Sequence, residues 1–126
     1  LICIGDSLTF GYGVHLSQRW TRLCAQETGW ELVNEGINGD TTGGMLTRMQ
    51  GGVLAELREG GLGADRPYVL LMGGSNDVFY SGSDAAARGN MGAMIHQLFS
   101  VGVLRMHRMR RGRGRARSIL KRRSGR

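Results

Sequence analysis

Leu1-Ile2-Cys3-Ile4-Gly5-Asp6-Ser7-Leu8-Thr9-Phe10-Gly11-Tyr12-Gly13 opens the chain. Four apolar residues bounded by a glycine read as a short buried strand. Gly5-Asp6-Ser7 then reads as a turn at the strand exit, with Gly11 and Gly13 marking a second bend. A small hydroxyl, Ser7, is thereby set at the mouth of a sheet. The rest of the chain must supply the remaining strands and any groups that would use that hydroxyl.

Reading outward, Ser17 is expected to cap a helix whose apolar positions are Trp20, Leu23, Cys24 and Thr28, with Gly29 as its stop. Glu31–Val33 is a second strand candidate, and Asn34–Gly44 reads as a loop rich in glycine and asparagine. Thr41 or Thr42 opens a second helix carrying Met45, Leu46, Met49, Val53, Leu54 and Leu57, ending at Gly60-Gly61. Gly51-Gly52 weakens that helix by about 1 kcal/mol per glycine relative to alanine. Tyr68–Met72, bracketed by Pro67 and Gly73-Gly74, is the clearest strand. Asp84 caps a third helix bearing Met91, Met94, Ile95, Leu98 and Val101, with Gly102 at its end. Strands alternating with helices predict an α/β fold, a parallel sheet with helices on both faces. Such sheets bind ligands beyond the C-terminal ends of their strands.

The chain has 126 residues, enough for one small domain, and 40% are apolar, enough for a core. No apolar run approaches the length that spans a bilayer. No basic-then-apolar leader is visible, and the first residue is Leu1 rather than Met, so the start is expected to be processed or missing and the location is read as cytoplasmic or unknown. Cys3 and Cys24 form neither a disulfide framework nor a metal spacing and read as small core residues. The formal charge of +7 is unevenly placed. Residues 1–104 hold six Arg against ten Asp and Glu, a net of −4, whereas residues 105–126 hold ten Arg, one Lys and no acid, a net of +11. Two regions follow: a folded part over residues 1–103 and an Arg-rich tail over residues 104–126 that has no apolar periodicity and is expected to be disordered. Such a tail would bind polyanions without sequence preference, and a non-catalytic nucleic-acid-binding protein is the alternative reading of the chain. No aromatic residue is interleaved in the tail for base stacking, so specific nucleic-acid recognition is not expected.

Each predicted strand is followed by a loop that offers something to one reaction. Ser7 follows the first, Gly39 within Asn38-Gly39-Asp40 the second, and Asn76 within Gly73-Gly74-Ser75-Asn76-Asp77 the third. Acyl transfer needs a nucleophilic hydroxyl and donors for the developing oxyanion. Ser7 can supply the first; the backbone N–H groups of Ser7 and Gly39 and the Asn76 amide can supply the second. Phe10, Tyr12, Phe79 and Tyr80 are candidates to line an acyl pocket. Asp6 and Asp77 are expected to fix the turns through backbone hydrogen bonds, and Asp40-Thr41-Thr42 to cap the second helix.

Gly5-Asp6-Ser7-Leu8, Asn38-Gly39-Asp40-Thr41-Thr42 and Gly74-Ser75-Asn76-Asp77 together resemble three blocks of the SGNH hydrolases, the GDSL esterase/lipase family. The resemblance covers about residues 1–103. It implies a flavodoxin-like three-layer fold and hydrolysis of carboxylic esters or thioesters through a serine acyl-enzyme. Ser7 would then be the nucleophile, with Gly39 and Asn76 as oxyanion donors. A small ester or thioester would be the substrate, and no metal or organic cofactor is implied.

The family's fourth block, Asp-x-x-His, occurs nowhere in the 126 residues. The histidines are His15, His96 and His107, and none has an acid three residues before it. A fold of this type uses about five parallel strands, where only three are readable here. The Arg- and Gly-rich text after about Gly102 is what GC-rich coding DNA gives when read out of frame. A frameshifted, truncated or pseudogene-derived product, with the reaction impaired for want of its base, is the expectation.

Overall fold

A computed structural model describes residues 1–59 and 68–103. The expected helix stop at Gly60-Gly61, the Pro67 bracket, His107 and the Arg-rich tail lie outside the described residues. The described elements run β1 (Ile2–Gly5), α1 (Ser7–Phe10), α2 (Trp20–Thr28), β2 (Val33–Gly36), α3 (Thr42–Thr47), α4 (Val53–Glu59), β3 (Val69–Met72), α5 (Ser75–Ser81) and α6 (Ala85–Ser100). A short 3₁₀ turn, Leu16–Gln18, precedes α2.

The three strands form one parallel sheet in the order β2-β1-β3. Alternation along the strands divides their side chains between two faces. Ile2 and Ile4 point to one face, where they pack with Met45, Met49, Val53, Leu54, Met94 and Leu98, and with Val33, Val69 and Leu71 at the margin. Helices α3, α4 and α6 therefore cover that face, and their methionines are core. The opposite face carries Cys3, Gly5, Asn34 and Gly36 and is covered by α1 and α2: Asn34 Nδ2 donates to Thr9 O at 2.9 Å and to Thr21 Oγ1 at 3.2 Å. The result is the three-layer arrangement expected. Burial pushes the Cys3 thiol up from 9.0 to about 11, which keeps it protonated and inert in the core. Among the described residues no helix is long and apolar enough to cross a membrane.

Several local expectations need correction. The second strand is Val33–Gly36, not Glu31–Val33. Asn34 looked like loop because it is polar, but its amide finds acceptors on α1 and α2. Gly36 looked like a turn residue, but it is glycine because the Phe10 backbone passes so close that a Cβ would collide with it. Ser17 does not cap α2. It lies in the 3₁₀ turn, where its N–H donates to His15 Nδ1 at 3.2 Å, and α2 starts later, after Arg19. Tertiary contacts set that start: the Arg19 guanidinium lies 4.2 Å over the Phe10 ring, and Trp20 Nε1 donates to Leu8 O at 3.0 Å.

The single helix expected from Thr41 or Thr42 to Gly60-Gly61 is, over its described residues, two, α3 and α4, with a turn between them. Arg48, at the end of α3, reaches back to the sheet, and the glycine pair that follows lets the chain turn. Asp84 does stand at the N-terminus of α6, but its carboxylate pairs with Arg88 at 3.6 Å instead of capping. Ser83 Oγ accepts from Ala85 N at 3.2 Å. The turn after β1 and the loop after β3 each hold a short helix, α1 and α5.

Candidate active site

The sheet register sets where the three loops begin. Gly5 pairs with Gly36 on one side and with Met72 on the other, so the last residues of the three strands lie abreast. Ser7, Gly39 and Asn76 follow within two to four residues of those ends. The chain crosses from β1 outward to β2 and then back over β1 to β3. The winding thus reverses between β1 and β3, and sheets of this kind hold ligands beyond the strand ends at such a point.

Ser7 begins α1. Asp6 precedes it, and its Oδ1 accepts from Leu8 N at 2.9 Å, capping the helix and tightening the turn. The Ser7 carbonyl accepts from the Gly11 and Tyr12 N–H groups at 2.9 and 3.0 Å. The Ser7 side chain is half-buried and makes no hydrogen bond to another described residue.

The loop after β2 folds back on itself through a bond from Asp40 N to Ile37 O, 3.2 Å, with Gly39 at φ +75°. That left-handed conformation is one an L side chain rarely takes. The Gly39 N–H donates to no described protein acceptor. Arg48 braces the loop: its guanidinium donates to Asp40 Oδ2 at 2.9 Å, Glu35 O at 2.7 Å and Gly5 O at 2.9 Å. One side chain thus joins the ends of β1 and β2 to the loop that presents Gly39.

Asn76 lies in the first turn of α5, and its Nδ2 donates to Asp40 O at 2.8 Å. An amide nitrogen carries two hydrogens, so one remains uncommitted. Asp77, next along, is buried and acts as a long-range clamp. Its Oδ2 accepts from Thr42 N at 2.9 Å and its Oδ1 from Thr42 Oγ1 at 2.6 Å, while Thr42 Oγ1 accepts from Asn90 Nδ2 at 3.1 Å. Both aspartates therefore fix turns, as the sequence suggested, and Thr41 caps α3 by accepting from Gly44 N at 3.2 Å.

The structure brings Asn76 directly onto the Gly39–Asp40 loop and sets Ser7 at the same sheet end, without a hydrogen bond from Ser7 to either. His15 is exposed and bound to Ser17 Oγ at 2.8 Å, and His96 is exposed on α6. Neither bonds to Ser7. Phe10 is turned to Arg19, whereas Tyr12, Phe79 and Tyr80 stand at the surface. Sequence reading passed over Arg48. Its only signal was a cation among the apolar positions Met45, Leu46 and Met49.

A model of the GDSL-like Lipase/Acylhydrolase family matches residues 3–124. The chain belongs to that family. The match runs past residue 104, where the composition changes. Solved structures agree with it in fold. A G-D-S-L family protein from Desulfitobacterium hafniense DCB-2 is similar at 26% identity with a TM-score of 0.67, over 79% of this chain and 52% of that one. AlinE4, an SGNH-hydrolase family esterase, is similar at 27% identity and a TM-score of 0.60, over 81% and 53% of the two chains. TesA is similar at 27% identity and a TM-score of 0.67, over 80% and 54%. The GDSL chain described here thus spans about half the length of the solved structures it matches. Among curated proteins none matches the sequence significantly.

Proposed function

We propose that this chain carries the nucleophile and oxyanion donors of a GDSL-type hydrolase acting on small carboxylic esters or thioesters. Ser7 is the nucleophile, and the Ser7 N–H, the Gly39 N–H and the Asn76 amide hold the developing oxyanion. The single observation that carries this reading is a set of spare donors at one sheet end: the Gly39 N–H and the second Asn76 amide hydrogen have no protein acceptor among the described residues. Unused donors beside a hydroxyl are what acyl transfer requires, and each is worth about 3–4 kcal/mol of barrier when the oxyanion forms.

In the reaction Ser7 Oγ bonds to the acyl carbon as its proton passes to a base, and the carbonyl electrons move onto oxygen. The tetrahedral species collapses with expulsion of the alcohol or thiol, and water then releases the acid from the acyl-enzyme. The 126 residues contain no Asp-x-x-His to take that proton. In a serine protease, removing the histidine base alone lowers turnover by roughly 10⁶-fold.

The test uses p-nitrophenyl acetate, with wild type and Ser7→Ala compared at increasing imidazole. The wild-type rate is expected to exceed that of Ser7→Ala, with the gap widening as imidazole supplies the base. Equal rates for the two proteins at every imidazole concentration would overturn the assignment.

A further inference from the structure

We propose that Tyr80 is a further substrate-contacting residue of this site, its phenol O–H donating to the acyl oxygen that Gly39 and Asn76 hold. The inference rests on the oxyanion role proposed above and adds to it a side-chain donor outside the three sequence blocks.

Asn76 and Tyr80 are four residues apart on α5 and so share one face of the helix. Two contacts show which way that face looks. Asn76 Nδ2 reaches Asp40 O at 2.8 Å, and a Cβ placed on Gly39 would meet only the Tyr80 hydroxyl, at 3.9 Å. Successive turns of α5 therefore overlook the same loop, one by an amide and the next by a phenol.

The Tyr80 hydroxyl makes no hydrogen bond to a described residue, and the residue is 66% exposed, leaving its phenol open to a ligand. Phe79 meets its ring edge-on at 5.4 Å and 78°. Because Gly39 has no side chain, nothing of its own intervenes between the phenol and a ligand oxygen at the Gly39 N–H. A phenol is a neutral donor, so it can strengthen its bond as charge develops on that oxygen without presenting a fixed charge to the neutral ester.

The test is the binding of butyrate, the carboxylate product of a short-chain ester, followed by ¹H–¹⁵N NMR of the full chain. In wild type, the Gly39 amide and the Asn76 side-chain signals are expected to shift with butyrate. Tyr80→Phe, which keeps the ring against Phe79, is expected to raise Kd by about three- to tenfold, the effect of one lost hydrogen bond. Asn76→Ala is expected to raise it comparably. Wild-type affinity in Tyr80→Phe with weakened binding in Asn76→Ala overturns the role of Tyr80 and leaves the oxyanion site standing. Butyrate that moves neither the Gly39 nor the Asn76 signals of wild type overturns both.

Discussion

The turn after β1 closes on itself, with Asp6 Oδ1 accepting from Leu8 N two residues on, whereas the turn after β3 sends its side chains across the molecule. Asn76 finds its partner 36 residues back at Asp40, and Asp77 finds its partner 35 residues back at Thr42. At the start of α5 stands Gly74, which has no side chain to cap with. The two turns present Ser7 and Asn76 at the same edge of the same sheet, yet one is a local structure and the other exists only when α3 is in place. The serine turn is closed by a side chain two residues from its partner. The carboxamide of the second kind is positioned by the folded domain.

The contrast can be broken most directly at Asp77. Asp77→Ala removes two hydrogen bonds to a buried carboxylate and leaves Thr42 N–H unpaired, so a loss of about 3 kcal/mol is expected by urea denaturation. A loss no larger than that of the local cap would erase the distinction between the turns.

A double-mutant cycle sharpens it. Thr42→Val combined with Asp77→Ala should show a coupling of about 1–2 kcal/mol, whereas Thr42→Val combined with Asp6→Ala should add to within roughly 0.5 kcal/mol. The smallest effect belongs to the local turn: Asp6→Ala is expected to cost about 1 kcal/mol, as loss of a helix cap generally does, measured by the same denaturation.

Much of this arrangement was legible beforehand. β1 and β3 are short apolar runs bounded by glycine, and α6 has its methionines and leucine at helical spacing, so the α/β layering could be read directly. β2 was misplaced because Asn34 and Gly36 are chosen for what α1 and α2 place against them, not for strand propensity. The break between α3 and α4 was underestimated because Arg48 spends its guanidinium on Gly5, Glu35 and Asp40, which no local pattern reveals. At the site, Ser7, Gly39 and Asn76 stood out as a motif. The Tyr80 hydroxyl was visible only as one of several aromatics near a turn.

What the sequence alone determined were features made by neighbours: the apolar strands, the Asp6 and Thr41 caps, and a glycine at position 39 free to take positive φ. The tertiary structure decided which distant groups complete them: Arg48 joining two strand ends to a loop, Asp77 pinning α5 to α3, and Asn76 and Tyr80 facing Gly39. The reason is one of range. A hydrogen bond between residues two or three apart depends on side chains adjacent in the chain, whereas one spanning 35 residues depends on a sheet register and a packed core that bring its ends together.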